Sequence, residues 1–270
     1  MIDPSVPPPR PSLLLSLPRE VRDEIYKFTL TEEEGLFSMA GRNAASTEPI
    51  VFYSAKHGKV GLDYNQLRYV CWQMHHETRS LLLHLNDLHS LDSPNHGTGK
   101  VHFYNFLASC SPTSLSQLRH ITVPTRSDRP FSRVDGKYFY NIRDVITPFV
   151  EAFARTHPKC KVTVMITWGC DHDKPQAAKE CIEWGAILQL MIRNTLPSHI
   201  IDRDRVGKLQ AHYAAIVYGH KRIDNPGNIR LLPREGRFTE EHFREQCEWE
   251  NPVMAERWTA QYRHWSKNGF

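Results

Sequence analysis

Two pairs of opposite charges, Glu20-Val21-Arg22 and Glu77-Thr78-Arg79, are the side chains of this sequence best placed to act together. Each pair lies within a helical hydrophobic pattern. Residues two apart on a helix point about 200° from one another, so neither pair closes on itself. If the two helices pack together the charges cross over: Glu20 meets Arg79, and Arg22 meets Glu77. Partly buried ion pairs of this kind fix helix register rather than move protons. A structural role is therefore expected for Glu20, Arg22, Glu77 and Arg79.

Other residue sets fall short of the chemistry they hint at. Cys160, Cys170, His172 and Cys181 are zinc-ligand types, but structural zinc needs ligand pairs two to four residues apart, and only Cys170 and His172 are that close. His75-His76-Glu77 lacks the four-residue histidine spacing of a zinc-protease helix. Gly97-Thr98-Gly99-Lys100-Val101 has Pro94 in place of the first phosphate-loop glycine and Val101 in place of the magnesium-binding hydroxyl, so a loop is expected. No Gly-x-Ser-x-Gly elbow is present. Asp171-His172-Asp173, following a strand, is the best remaining polar set and reads as a solvated loop. No catalytic residue, metal or cofactor is assigned, and the chain is expected not to be an enzyme.

The elements that carry these residues follow from periodicity. Five prolines within residues 1 to 12 make an extended leader. A first helix begins near Ser16 or Leu17, with Pro18 in its first turn and Leu14, Leu17, Val21, Ile25 and Phe28 on one apolar face. A second helix spans about 65 to 85, burying Leu67, Val70, Met74, Leu81 and Leu85; between the two lies an irregular hairpin whose best strand is Ile50 to Tyr53. Leu118 to Val123 alternates as a half-buried strand, an amphipathic helix covers about 142 to 157 with Pro148 as a kink, and Lys161 to Trp168 is a more buried strand. That order predicts a βαβ unit with parallel strands. Helices follow at 176–193 and 202–218, then a strand at 229–232. Thr239 caps a further helix, and Asn251 caps the last. Trp258, Tyr262 and Trp265 form one aromatic stripe, expected to be core; Trp249 lies apart from it.

Composition narrows the setting. The 34 basic and 30 acidic residues leave a net charge of +4 with no long run of one sign, which argues against a nucleic-acid groove. No apolar stretch reaches the roughly 18 residues of a membrane span. No secretory signal is recognisable, and the six cysteines lie far apart, as reduced thiols do. An intracellular protein, cytoplasmic or nuclear, is expected.

Leu17-Pro18-x-Glu20-x-Arg22-x-x-Ile25-Tyr26 resembles the opening helix of fungal F-box-like proteins. Val70-Cys71-x-Gln73-x-x-x-Glu77-x-Arg79-x-Leu81-Leu82 is similar to the second hallmark of the fungal two-E-x-R family, and Leu118-Arg119-His120-Ile121 resembles the strand that often follows. The likeness covers residues 13 to 123. It implies an F-box-like domain there, followed by an α/β to helical region over 124–270 packed on it. The fold expected is α+β, with a helical N-terminal part, a small mixed sheet containing one βαβ unit, and a helical C-terminal part. The resemblance also implies a protein partner, the small adaptor subunit of an SCF ubiquitin ligase, met by Leu17, Pro18, Val21 and Ile25, while the rest of the chain captures a substrate. The alternative is an accessory protein of a fungal pathway, such as a biosynthetic gene cluster, with a purely structural domain. The two readings differ in one observable: an adaptor leaves Leu17, Val21 or Ile25 exposed as an apolar patch, and a structural domain buries all three against the second helix.

Overall fold

The computed structural model describes residues 12–39, 51–54, 56, 63–90, 99–124, 131–134, 137–140, 146–166, 177–201, 226–233 and 239–270. The fold is α+β. Its centre is a six-stranded sheet built from β1 (Leu36–Met39), β2 (Val51–Ser54), β3 (Leu88–Ser90), β4 (His120–Pro124), β7 (Lys161–Ile166) and β8 (Ile229–Pro233), in the order β2-β1-β3-β4-β7-β8. β1 and β2 form an antiparallel pair, and every other neighbouring pair is parallel. Two further strands, β5 (Phe131–Val134) and β6 (Lys137–Tyr140), make a separate hairpin.

β7 shows why the parallel part is internal. Val162, Thr163 and Val164 are consecutive and all buried, so both faces of the strand are covered. β4 and β7 are adjacent and parallel, with Ile121 opposite Val162 and Val123 opposite Val164, and the connection between them contains α7 (Pro148–Thr156). The β–α–β order expected from periodicity is thus present. The sheet also runs unbroken through residue 123: β3 pairs with β4 and β4 with β7, so residues 13–123 and 124–270 contribute strands to one sheet.

The helices before the sheet differ from expectation in instructive ways. Pro18 does not lie inside a helix. It biases Leu17 towards extended backbone (ψ 150°), which separates a single turn, α1 (Leu13–Ser16), from α2 (Arg19–Leu30). The expected second helix is three pieces: a 3₁₀ turn at Gln66–Tyr69, α3 (Trp72–Thr78) and α4 (Leu81–Leu85). Cys71 is extended, which ends the 3₁₀ turn. The Thr78 carbonyl accepts from the Asn65 side-chain amide at 3.2 Å, so a distant side chain occupies the oxygen that would continue the ladder into α4. Of the residues expected inside, Met74 is buried and Leu67, Leu81 and Leu85 are half-buried, but Val70 is 65% exposed. Asn86 ties the segment back to α2: its amide N–H donates to the Leu30 and Leu82 carbonyls, and its oxygen accepts the Glu32 N–H at 2.6 Å.

α5 (Gly99–Ser109) and α6 (Pro112–Ser116) precede β4. Pro148 starts α7 rather than kinking it. Thr147 is the N-cap and its hydroxyl accepts the Val150 N–H, so the proline sits where a missing N–H removes no helical bond. α8 (Ala177–Arg193), α9 (Glu240–Glu250) and α10 (Ala255–Asn268) form the C-terminal helical layer. Thr239 caps α9 through the His242 N–H. Asn251, expected to cap the last helix, instead closes α9: its N–H donates to the Cys247 carbonyl, and Met254 is the residue before α10. Trp258, Tyr262 and Trp265 are buried, whereas Trp249 is 71% exposed. The expected leader over 1–12 (all but residue 12) and the helix over 202–218 lie outside the described residues. No helix among the described residues is long and apolar enough to cross a membrane.

Candidate functional site

α2 and α3 meet through one carboxylate. Glu77 projects from α3 and is buried. Its Oε1 accepts from Arg22 Nη2 at 2.6 Å and Gln73 Nε2 at 3.0 Å, with Arg19 Nη1 3.2 Å away; its Oε2 accepts from the Tyr26 hydroxyl at 2.7 Å and Arg22 Nε at 3.1 Å. Arg22 spends a further N–H on the Leu17 carbonyl at 2.5 Å, which holds the chain entering α2. The bonds from Arg22, Gln73 and Tyr26 hold the Glu77 carboxyl down at about 2. Burial, and then the bond to Glu77, push the Tyr26 hydroxyl up to about 12. Both carboxylate oxygens are engaged; Arg22 is buried with them, while Arg19 sits at the exposed rim. This is an arrangement for holding two helices together, and neither its carboxyl, at about 2, nor its phenol, at about 12, titrates near neutral pH.

Only half of the expected crossover is present. Arg22 meets Glu77, but Glu20 and Arg79 are exposed and form no ion pair among the described residues, which corrects the expected Glu20–Arg79 contact. The reason is rotational. α2 turns Arg22, Tyr26 and Leu30 inward, a face that places Glu20 in solvent. α3 turns Met74, Glu77 and Thr78 inward, which leaves Arg79, at the helix end, outside. Glu20→Arg and Arg79→Glu, singly or together, should each change unfolding free energy by less than about 0.5 kcal/mol in denaturant titration. A loss above 1 kcal/mol in either, restored in the double variant, would reinstate the missing pair.

The same rotation puts the apolar stripe of α2 outside. Val21 is 44% exposed, Ile25 36% and Phe28 89%; Pro18 is exposed too, and Leu17 is half-buried. Spacings of four and three set Val21, Ile25 and Phe28 on one side of the helix, well away from the buried Arg22–Tyr26–Leu30 face. Tyr69, Val70 and Trp72, leading into α3, are exposed as well, and the Trp72 ring lies 4.1 Å from that of His76.

His120 Nδ1 lies 2.8 Å from Asp87 Oδ2, and its Nε2 lies 2.7 Å from Thr163 Oγ1, an Asp–His–hydroxyl chain that spacing in sequence does not reveal. Its order is that of a hydrolytic triad. Thr163, however, is 1% exposed within β7, so no substrate carbonyl reaches its oxygen; the chain pins β4 to β7. Burial pushes the Cys110 thiol up to about 11, and those of Cys160 and Cys247 up to about 12, so none supplies a thiolate at neutral pH. Cys160 and Cys181 are both buried, and among the described residues no group of three or more side chains could hold a metal ion. His75 and His76 are exposed. Cys170, Asp171, His172, Asp173, Gly97 and Thr98 lie outside the described residues.

No family model, no curated protein and no solved structure matches this chain.

Proposed function

We propose that this chain is a non-enzymatic protein-interaction module that docks a partner on the outer face of α2, and that the partner is the small adaptor subunit of an SCF ubiquitin ligase, as the F-box-like and two-E-x-R resemblance implies. One observation carries the reading: Val21, Ile25 and Phe28 are apolar, aligned and exposed, while a polar cluster holds the opposite face. Burying an aligned apolar stripe is worth about 25 cal/mol per Å², which on a monomer surface is unrealised stabilisation. Leu17 and Pro18 extend the stripe towards the start of the helix. The Arg22–Glu77 cluster supports the module by fixing how α2 stands, so that the stripe is presented at a constant angle. Helix faces of this kind bind by laying anchors at i, i+4 and i+7 into an apolar groove.

The test is direct binding of the whole chain to a purified fungal SCF adaptor subunit. Ile25→Asp with Phe28→Asp serves as the control, because both side chains are exposed and their replacement leaves the core intact. Complex formation by wild type that falls at least 100-fold in the doubly substituted, still-folded protein supports the reading. No complex with wild type at micromolar concentrations retires the ligase partner and leaves the accessory, structural role.

A further inference from the structure

Two helix faces outside the Arg22–Glu77 cluster present aromatic and charged side chains in matching patterns. On α3, Trp72, His75, His76 and Arg79 recur at spacings of three and four and all are exposed, Trp72 to 76%. Arg79 follows the last residue of α3 but keeps helical backbone (φ −56°, ψ −33°), so it continues the stripe. Tyr69 and Val70, exposed just before it, widen the apolar end. The acids of this stretch are spent inside, Glu77 on Arg22 and Asp63 on Arg68. What faces solvent is therefore aromatic at one end and basic at the other.

α9 carries the complement. Its 11 residues hold five glutamates against one arginine. Glu240 pairs with Arg263, Glu248 pairs with Arg244, and Glu250 accepts the Lys179 N–H. Glu241 and Glu245 are exposed and form no ion pair among the described residues. Spacings of four align them with Trp249, and the exposed Val253 extends the apolar end beyond the helix. The order of this stripe is the reverse of that on α3. The two are also of nearly equal length, about 10 Å from Trp72 to Arg79 and about 12 Å from Glu241 to Trp249. Laid antiparallel, Trp72 meets Trp249 and Val253 while Arg79 meets Glu241.

The faces stand too far apart to meet within one molecule. The segment before α3 is held to β2, where the Tyr64 N–H donates to the Phe52 carbonyl at 2.7 Å. α9 stacks Phe243 on Tyr262 of α10, and the chain leaving α10 is tied to β8 through the Phe270 N–H. β2 and β8 are the two edges of the six-stranded sheet, separated by strand spacings of about 4.8 Å each. We propose that these faces join two copies of this chain, the Trp72–Arg79 face of one seated antiparallel on the Glu241–Trp249 face of the next. Because the faces differ, the contact is heterologous, and it either propagates along a row or closes a ring. It uses no residue of the α2 stripe and does not depend on a ligase partner.

Sedimentation velocity of the whole chain, with no other protein present, tests this. The weight-average mass should rise with concentration above that of the monomer. It should fall back when salt is raised from about 0.05 M to about 0.5 M, which screens exposed charges. Trp72→Ala with Arg79→Ala removes one face, and Glu245→Ala with Trp249→Ala removes the other. All four side chains are exposed, so the fold should be retained, as circular dichroism checks. Each variant alone should stay monomeric. An equimolar mixture of the two should give a dimer and nothing larger, because one working pair of faces remains. Wild type that is monomeric at about 100 μM, association unchanged in either variant, or a mixture that yields no dimer would overturn the proposal.

Discussion

Glu77→Ala should lower the stability of this protein by about 3 kcal/mol, measured by urea unfolding at pH 7. Removing the carboxylate leaves the Arg22 guanidinium buried with only backbone carbonyls of the α1–α2 link to meet it, and takes the acceptor from the Tyr26 hydroxyl. Losing one member of a buried pair costs about 3–5 kcal/mol, and the lower end applies because Arg19, at the rim of the cluster with its side chain 47% exposed, opens a path for water. Replacing the set together is a different matter. Arg22→Leu with Tyr26→Phe and Glu77→Leu should recover more than half of the loss, since no charge is then left buried without a partner. Additive losses on combining the substitutions would show that the cluster does not act as one unit.

The same carboxylate sets an acid limit. Its pKa falls from 4.5 to about 2 on folding, so the stability it supplies is fully present above pH 4.5 and is lost as pH drops through about 2. Tyr26 sets the alkaline counterpart: its pKa rises from 10.0 to about 12, so its contribution is intact below pH 10 and lost as pH climbs through about 12. Glu77→Gln should flatten the acid limb of the stability curve between pH 4.5 and 2 relative to wild type. An unchanged slope would mean that the carboxylate is not selectively stabilised in the folded state.

The second large effect lies at the other end of the molecule. Trp265→Ala should cost about 4 kcal/mol, at the level of the largest core truncations. The indole is 1% exposed, packs against Phe270 with ring centroids 5.1 Å apart, and donates its N–H to Gln189 Oε1 at 2.9 Å. Gly185 shows how tightly it is seated, since a Cβ there would collide with the indole ring. Phe270 in turn donates its backbone N–H to the Leu231 carbonyl of β8 at 3.0 Å, so the truncation loosens α8, α10 and the β8 side of the sheet together. Gly185→Ala should also destabilise, and combining it with Trp265→Ala should cost less than the sum of the two, because the alanine methyl then fills part of the vacated space. Strict additivity would show that the residues are not in contact.

How far the chain was legible depended on where each decision is made. β4, α7, β7, α8 and β8 were readable because their signals are local: alternation, a 3.6-residue period, and caps such as Thr239 lie within a few residues of what they define. The aromatic stripe of α10 was readable for the same reason. The break in the second helix is not legible locally, because it depends on the Asn65 amide reaching the Thr78 carbonyl from 13 residues away, and no window of helical period contains that contact. Asn86 carries no local signal: an asparagine after an apolar helix looks like any turn residue, and its importance comes from the Leu30, Glu32 and Leu82 backbone groups that converge on it. β1 and the Asp87–His120–Thr163 chain were hidden likewise, since both exist only once strands are paired.

For α2 the division is sharpest. Its sequence alone determined that there is a helix, that it carries an apolar stripe through Val21, Ile25 and Phe28, and that a charged set including Arg22 runs beside it. Only the tertiary structure decided which of those faces turns inward. Periodicity measures the angle between two faces and says nothing about which one docks; here Tyr26 and Leu30 bury enough apolar surface, and Glu77 neutralises Arg22 completely enough, for the mixed face to win the interior and leave the apolar stripe in solvent.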